Sequence, residues 1–411
     1  MRTVLFVDDE PRVLDGLRRM LYGMRREWQM DFAEGGVKAL DLLAAHPYDV
    51  VVSDMRMPGM EGSELLREVM LRYPATVRIV LSGQCDRQTV LRAVEPTHQF
   101  LTKPCDPESL KRALIRAFQR RDQLTEEWHK ELVSRVVSVP SLPALHDELL
   151  NELQSPGASL RRVAEIVATD IGMTAKIMQL ISTSFFGTPQ RLADPVEAVR
   201  LFDLDTLRAL ALSTGVFSPF SASGWSLSLL ERLSEHGRTV AATAKAITEA
   251  EGGDASQAED AHLAGLLHDI GLVVLLQHTP LRAAAVLQTS REKQIPLGQA
   301  EKLNEHETHA EIGGYLMALW GLPEPIIEAI TFHHAPRDAG STGFAPLTAV
   351  HVATALDADW SQGMLGAPDP LDHDYLARLG RLDRLDVWRD LARSLQSRRG
   401  SPLQTTNPQE A

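Results

Sequence analysis

Short apolar runs alternate, over residues 1 to about 120, with segments in which apolar residues recur at helical spacing. The run from Thr3 to Val7 is rich in β-forming residues, and the apolar positions between Val13 and Leu21 fit one face of a helix. The alternation is repeated along the segment. It predicts a five-stranded parallel sheet with helices on both faces, a doubly wound α/β domain of the flavodoxin-like type. The other strands are predicted at 30–33, 50–53, 77–81 and 100–101, and the other helices at 37–43, 65–71, 90–94 and 110–118.

Apolar residues also recur at helical spacing from Leu110 to about Val137, among many charged residues. They predict one long amphipathic helix that leaves the first domain as a connector and ends before Pro140. The apolar stripe of this helix needs a cover. A partner helix in a homodimer and the chain's own domains satisfy that need equally well, so both arrangements stay open.

Strand patterns nearly vanish beyond Pro143, and helical periodicity continues to about Leu356. This pattern predicts an all-α domain. After it we expect a charged helical stretch at 375–395 that packs back on that domain, and then a polar, disordered tail. The predicted division is an α/β domain at 1–120, a helical connector at 121–137, an all-α domain at 138–357, a helical extension at 358–396 and a tail at 397–411.

Composition narrows the class of protein. The formal net charge of −13 argues against non-specific nucleic-acid binding, and no compact helix-turn-helix with a basic recognition helix follows the first domain, so we expect no direct DNA binding. The two cysteines give no disulfide framework, and neither a secretory leader nor an apolar run of about 20 residues is evident. We therefore expect a cytoplasmic protein that does not enter a membrane.

Polar residues stand where the predicted strands end: Asp8, Asp9, Asp54, Ser82 and Lys103. In a parallel sheet these ends share one edge, which is where such folds bind ligands. Carboxylates at this density repel each other unless a cation lies between them, and their oxygens suit Mg²⁺. The sequence therefore predicts phosphoryl transfer to Asp54, with Mg²⁺ and Lys103 neutralising the phosphoryl oxygens.

The first domain resembles the receiver domain of two-component response regulators in three segments: VDDE at 7–10, DMRMPG at 54–59 and KP at 103–104. The resemblance implies that a sensor histidine kinase phosphorylates Asp54. It also implies that Asp8 and Asp9 help Asp54 to hold Mg²⁺, and that Ser82 and Phe100 form the conformational switch.

The second domain resembles the HDOD domain, an output module related to HD-type phosphohydrolases, in four segments: LPAL at 142–145, ATD at 168–170, SFFG at 184–187 and LFDL at 201–204. Nine of the fourteen histidines lie between 236 and 351. One predicted helix, at 258–276, carries an adjacent His-Asp pair. The order of the metal-liking residues resembles the HD superfamily and implies a divalent-metal site: His236, His268, Asp269, His309, His333 and His334.

Two departures from the HD pattern argue against catalysis. Leu272 stands where active relatives usually have a lysine that neutralises a phosphate oxygen, and Thr354 stands where the pattern closes with an aspartate. Asp357 could replace that aspartate only if its helical turn shifted. We expect the remaining histidines of this region to be hydrogen-bonded core residues or exposed: His262, His278, His306 and His351.

These features together predict a response regulator that is phosphorylated on Asp54. Its HDOD domain is expected to be non-catalytic and to act by binding a downstream protein partner, with the metal ligands kept as a vestigial set. The alternative is a phosphorylation-regulated, metal-dependent phosphohydrolase that acts on a cyclic dinucleotide or a nucleotide.

Overall fold

The structure is a computed structural model of the 411-residue chain. It describes residues 1–83, 95–182, 192–212, 216–221, 224–304, 307–357, 367 and 369–400, without the side chains at 82, 120–123 and 398–400. The helix predicted at 90–94, the SFFG segment at 184–187 and His306 lie outside the described residues.

The N-terminal domain is the predicted parallel sheet. Its strands are β1 (Arg2–Asp8), β2 (Trp28–Glu34), β3 (Val50–Ser53), β4 (Val77–Ser82) and β5 (Gln99–Thr102), and they pair in the order β2-β1-β3-β4-β5. The central strands are continuous apolar runs because helices cover both faces. Its described helices before β5 are α1 (Pro11–Met20), α2 (Gly36–Ala45) and α3 (Gly62–Arg72).

The connector is two helices instead of one, which corrects the predicted single helix. Helix α4 (Pro107–Gln123) belongs to the sheet domain, and α5 (Glu127–Arg135) starts after a break at 124–126. The break has a tertiary cause, since the backbone amides of Thr125 and Glu126 both donate to the carboxylate of Glu307 in the second domain. A hydrogen bond of this kind is invisible in helical periodicity.

The second domain is helical, as predicted. Its first helices are α6 (Pro143–Gln154), α7 (Leu160–Thr169), α8 (Ile171–Ile181), α9 (Pro195–Val199) and α10 (Leu204–Leu212). The histidine-rich part follows with α11 (Trp225–Ala250), α12 (Ala255–Leu267), α13 (Ile270–His278), α14 (Pro280–Lys293), α15 (Leu297–Asn304), α16 (His309–Leu319), α17 (Glu324–Phe332) and α18 (Pro346–Leu356). The helices α14 and α15 were not predicted.

The single helix predicted at 258–276 is wrong. It is divided into α12 and α13 at His268 and Asp269, and Asp269 has φ −96° and ψ 13°, which is not helical. Helix α13 then approaches α16 so closely that a Cβ atom added at Gly271 would lie 2.0 Å from the His309 carbonyl oxygen. The division frees the two side chains from the 100° divergence of helical neighbours.

In the part of the chain that the structure describes, one stretch, Ala255–His278, is long and apolar enough to cross a membrane by length and composition alone. It has a mean hydropathy of 1.2, and 78% of its most apolar 18 residues are buried inside the protein. It is the interior of the helical domain, and buried core helices often pass this test.

The C-terminal part also differs in detail from its prediction. Instead of one helix at 375–395 there are α19 (His373–Arg378) and α20 (Leu385–Gly400), which are separated at Gly380 with φ 64°. Helix α20 packs on α11, and Trp388 donates to the Glu251 carboxylate at 3.1 Å. It continues four residues past 396, into the segment predicted to be a disordered tail, and residues 401–411 lie outside the described part.

The two domains meet at the amino-terminal end of β4 and β5. The Gln179 side chain of α8 donates to the carbonyls of Thr97 and His98, just before β5. On the other side, Arg78 of β4 is 1% exposed and donates to the carbonyl of Ser134 in α5 at 2.6 Å. The apolar stripe of the connector is thus covered by the chain's own domains, one of the two arrangements left open above.

Candidate functional sites

The first candidate site lies at the carboxyl-terminal edge of the sheet. Asp8 ends β1, Asp54 follows β3 and Lys103 follows β5, so the strands bring these three side chains together. Lys103 Nζ lies 2.6 Å from Asp8 Oδ2 and 2.5 Å from Asp54 Oδ1. Asp9 is exposed beside them. The predicted residues form one cluster, with two buried carboxylates sharing one ammonium.

Local hydrogen bonds fix both buried carboxylates. Asp8 Oδ1 accepts from the amide of Glu10 at 2.9 Å, and Asp54 Oδ2 accepts from the amide of Arg56 at 2.8 Å. Burial raises the pKa of Asp54, although the bond from Lys103 acts in the opposite direction. Burial would lower the pKa of Lys103, but the two carboxylates raise it above its usual value. The lysine therefore stays charged next to the predicted phosphoacceptor.

The two predicted switch residues lie on neighbouring strands. Phe100 is buried in β5 and lies opposite Val80 of β4. Ser82 ends β4 opposite Thr102, and its side chain is outside the described part of the chain. The backbone thus puts Ser82 at the same edge as Asp54, and Phe100 within the sheet.

The second candidate site is centred on Asp269, at the break between α12 and α13. The Nε2 atoms of five histidines lie close to its carboxylate or close to one another. Those of His268, His309, His333 and His236 are 3.3, 3.0, 3.7 and 3.8 Å from an Asp269 oxygen. The Nε2 atom of His334 lies 3.0 Å from that of His309. The structure thus brings together all six residues predicted as ligands.

The second ring nitrogen of each of these imidazoles, Nδ1, contacts a carbonyl or carboxylate oxygen outside the cluster. His268 and His333 donate to the backbone carbonyls of Gly265 and Ile330, both i−3 residues on their own helices. The other three imidazoles have carboxylate partners. His236 contacts Asp357 at 2.7 Å, His309 contacts Glu301 at 2.8 Å, and His334 contacts Asp369 at 3.1 Å. Outer partners of this type fix the tautomer and orientation of metal-binding histidines.

The protonation of the cluster follows from these contacts. A carbonyl oxygen accepts only, so Nδ1 of His268 and of His333 carries the proton and Nε2 offers a lone pair to the centre. Burial lowers the pKa of His268 to about 4 and holds the pKa of His333 well below its usual value. His309 is different. Burial opposes its charge, but the carboxylates of Glu301 and Asp269 raise its pKa well above the usual range.

The donor set fits divalent metal ions. It contains two groups of residues that share Asp269, and in each group the ligand atoms lie within 4.8 Å of one another. The first group adds His236 and His268, and the second adds His309, His333 and His334. The Nε2 atoms of His236 and His268 are only 3.1 Å apart, and both rings donate through Nδ1. Lone pairs that face each other repel unless a proton or a metal ion lies between them. His333 Nε2 is also buried, and within the described ranges of the chain it has no hydrogen-bond partner.

The two departures from the HD pattern have a structural setting. Leu272 is 2% exposed and lines a pocket with Trp128 and His129 of the connector helix α5, so the position where relatives have lysine is covered here. The hydroxyl of Thr354 is buried and has no hydrogen-bond partner among the residues that the structure describes, so it does not take the role of the expected carboxylate. Asp357 lies just past the end of α18, at its C-cap, and reaches His236 from outside.

Three carboxylates of this site were not predicted in their roles. Glu301 is on α15, a helix that was not predicted, and Asp369 lies in an irregular segment, so neither had a periodic signal. Asp357 was considered as a ligand and not as a partner of His236.

Among the other histidines, His351 is a core residue as expected, donating to the His333 carbonyl and accepting from Asp372. A cavity of about 290 Å³ adjoins the cluster and is lined by His334, Asp369 and Lys302, among others.

Two family models match the chain. The response regulator receiver domain matches residues 4–115, where the aspartate and lysine cluster lies, and the HDOD domain matches residues 139–336. The chain is a response regulator with an HDOD domain. The receiver domain implies a histidine kinase as phosphodonor, and receiver domains generally bind Mg²⁺.

Similar proteins cover parts of this response regulator. It is 28% identical over 204 residues to an uncharacterized protein of Treponema pallidum, covering 49% of this chain and 39% of that protein. It is 33% identical over 178 residues to the hydrogenase transcriptional regulatory protein HoxA of Cupriavidus necator, covering 40% and 36%. The chain thus spans less than half the length of these relatives.

A solved structure of the signal receiver domain of an HD domain-containing protein from Pseudomonas fluorescens Pf-5 is 30% identical to the matched part. It covers 30% of this chain and 98% of its own, with a TM-score of 0.29.

Proposed function

We propose that this response regulator is a cytoplasmic protein activated by phosphorylation of Asp54, with Mg²⁺ held by Asp8, Asp9 and Asp54. The contact of Lys103 with both Asp8 and Asp54 carries the proposal. A fixed ammonium there stabilises the charge of a transferring phosphoryl group and of the acyl phosphate that forms. The switch then acts through Ser82 and Phe100, and biases the contacts of the receiver with the connector.

The test is incorporation of a phosphoryl group from acetyl phosphate in the presence of Mg²⁺, followed by intact-mass analysis. The wild-type chain should gain one phosphoryl group, and Asp54→Ala should gain none. Asp15→Ala removes an exposed carboxylate of the same domain and should behave as wild type. Phosphorylation that persists in Asp54→Ala would overturn the assignment of the acceptor.

We propose further that the HDOD domain binds divalent metal through the cluster around Asp269. The convergence of Nε2 atoms on one carboxylate, with lone pairs on those of His268 and His333, favours this over a vestigial set kept for packing. The ligands would be His236, His268 and Asp269 for one ion, and Asp269, His309, His333 and His334 for a second. Metal content after dialysis tests this, and Asp269→Ala, which removes the ligand shared by both groups, should lose both ions.

The output then has two candidates. Regulated binding of a downstream protein remains the first, since Leu272 provides no charge for a phosphate oxygen. Phosphodiester hydrolysis is the second, and it is favoured by the metal-ligand geometry and by the cavity of about 290 Å³ beside His334. Bound metal would supply Lewis acidity and an activated water there. Hydrolysis of bis(p-nitrophenyl) phosphate by metal-loaded protein, lost in Asp269→Ala, would decide for the second.

A further inference from the structure

The connector helix α5 is capped by the HDOD domain and not by its own sequence. Glu126 is its N-cap residue and makes no side-chain capping bond. Glu307 supplies the missing acceptor, and its Oε1 atom takes hydrogen bonds from Thr125 N at 2.6 Å, Thr125 Oγ1 at 2.6 Å and Glu126 N at 2.9 Å. Its Oε2 atom lies 2.7 Å from His129 Nδ1, in the first turn of α5.

The same carboxylate belongs to the segment that positions a metal ligand. Glu307 is two residues before His309, and the intervening Thr308 caps α16 in a capping box with Glu311. The amide of His309 donates to Glu301 at 3.1 Å, and its Nε2 lies 3.0 Å from Asp269. Two residues span at most about 7 Å, so a displacement of Glu307 soon moves His309 as well.

The far end of α5 is held by the receiver. Arg78 of β4 donates to the carbonyl of Ser134, near the end of α5, at 2.6 Å. The carboxyl end of that strand is Ser82, at the phosphorylation edge. In addition, α4 of the receiver packs on α16, whose first residue is His309. Helix α5 therefore joins the strand that carries Ser82 to the segment that carries His309.

We propose that Glu307 is a positioning residue that couples the receiver to the metal ligands, so that phosphorylation of Asp54 changes the affinity of the HDOD domain for divalent metal. This inference rests on the proposed metal binding. Here Asp54 pairs with Lys103 as an unmodified carboxylate, and the Glu307 contacts are complete. The contacts therefore belong to the unphosphorylated form, and under this proposal phosphorylation weakens them and lowers the affinity for metal.

The experiment measures the dissociation constant for Co²⁺ by competition with a chelator, using the full chain before and after phosphorylation by acetyl phosphate. Wild type should bind Co²⁺ at least about fivefold more weakly when phosphorylated. Glu307→Ala should bind Co²⁺ in both states as phosphorylated wild type does. Thr125→Val removes one hydroxyl donor with little change of shape. It should reduce the ratio of the Co²⁺ dissociation constants of the phosphorylated and unphosphorylated states, but the two constants should still differ.

Glu251→Ala is the matched control. Glu251 is another carboxylate with a buried side chain in the same domain, and it is bonded to Arg384 and Trp388 in the C-terminal part of the chain. The Glu251→Ala protein should keep the wild-type ratio of Co²⁺ dissociation constants, even if its free energy of unfolding falls. Equal affinity of phosphorylated and unphosphorylated wild type would overturn the coupling and leave the metal site standing. Absence of Co²⁺ binding in both states would overturn the metal site itself, and this inference with it.

Discussion

At the scale of single residues, the cluster around Asp269 depends on what lies behind each imidazole. The carbonyls that His268 and His333 contact belong to the i−3 residue at the end of the same helix, so these two contacts are local in sequence. The carboxylates come from other segments of the chain, and we expect each of them to orient its histidine toward the centre. The outer carboxylates are therefore the residues whose loss should affect the site without removing a ligand.

Asp357→Ala tests this. Asp357 contacts His236 Nδ1 at 2.7 Å and does not belong to either group of ligand atoms. Its loss frees the His236 ring to rotate, and we expect metal affinity to fall about 10- to 100-fold, the usual effect of removing such a partner. Competition with a chelator gives the value. Asp374→Ala, an exposed carboxylate on α19, should have no effect. An unchanged affinity in Asp357→Ala would mean that His236 is not a ligand.

Leu272→Lys tests the meaning of the missing lysine. Because Leu272 is buried under α5 in a pocket with Trp128, a lysine there would be desolvated unless the connector moved. We expect the variant to lose roughly 1–3 kcal/mol of stability and to gain no hydrolytic activity. Denaturant titration and a phosphodiester assay measure the two effects. A stable variant with new activity would show that the connector does not block this position.

The six clustered residues could be predicted from the sequence, because their order along the chain resembles that of the HD superfamily. Their outer partners could not. Glu301 resembles any acid of a surface helix, and only the fold turns it inward against His309. Asp369 belongs to no regular element. The sequence therefore revealed which side chains meet and concealed what orients them.

At the scale of elements, sequence periodicity predicted the sheet strands and most helices but not the breaks. The breaks at Thr125 and at His268 both come from tertiary contacts and close packing. Periodicity sees only the apolar stripe, which continues across a break when both helices face the same core. A contact used in the two proposals lies at each of these two breaks: Glu307 meets the connector at one, and Asp269 meets the histidines at the other.

The close approach of α13 and α16 is the element-scale feature that holds Asp269 against His309. A Cβ at Gly271 would lie 2.0 Å from the His309 carbonyl oxygen, a backbone atom that cannot rotate away. We expect Gly271→Ala to destabilise the protein by about 1–3 kcal/mol or more, measured by denaturant titration. Gly16→Ala is the control, because Gly16 is also helical and a Cβ there meets nothing within 4 Å. A Gly271→Ala protein as stable as wild type would show that the two helices can separate freely.

At the scale of the whole molecule, buried cations bond to backbone carbonyl groups where the connector meets the two domains. Arg78 donates to carbonyls of Thr76, Pro96 and Ser134. Lys176 of α8 is 0% exposed and donates to the Val137 carbonyl at 2.6 Å. Such contacts satisfy the donors and do not neutralise the charge, which makes the junction costly when these groups are protonated. Length and composition gave no hint of this junction.

Lys176 gives the junction a pH dependence. Burial lowers its pKa to about 7 in the folded protein, whereas an unfolded chain has a lysine pKa of about 10.4. Between these two values the unfolded state binds more protons than the folded state, so the stability contributed by this group rises with pH, by up to about 1.4 kcal/mol per pH unit. Below pH 7 both states are protonated and the contribution no longer changes.

Comparison with Lys176→Met at pH 7 and pH 9 isolates this effect, because all other groups titrate in both proteins. The wild type should gain stability relative to the variant as the pH rises from 7 to 9, measured as the shift of its denaturant midpoint. Lys245→Met, which removes a partly exposed lysine of α11, should follow the wild-type pH dependence. Parallel curves for wild type and Lys176→Met would mean that Lys176 keeps its charge at the junction, and that the receiver and the HDOD domain meet around a permanent cation.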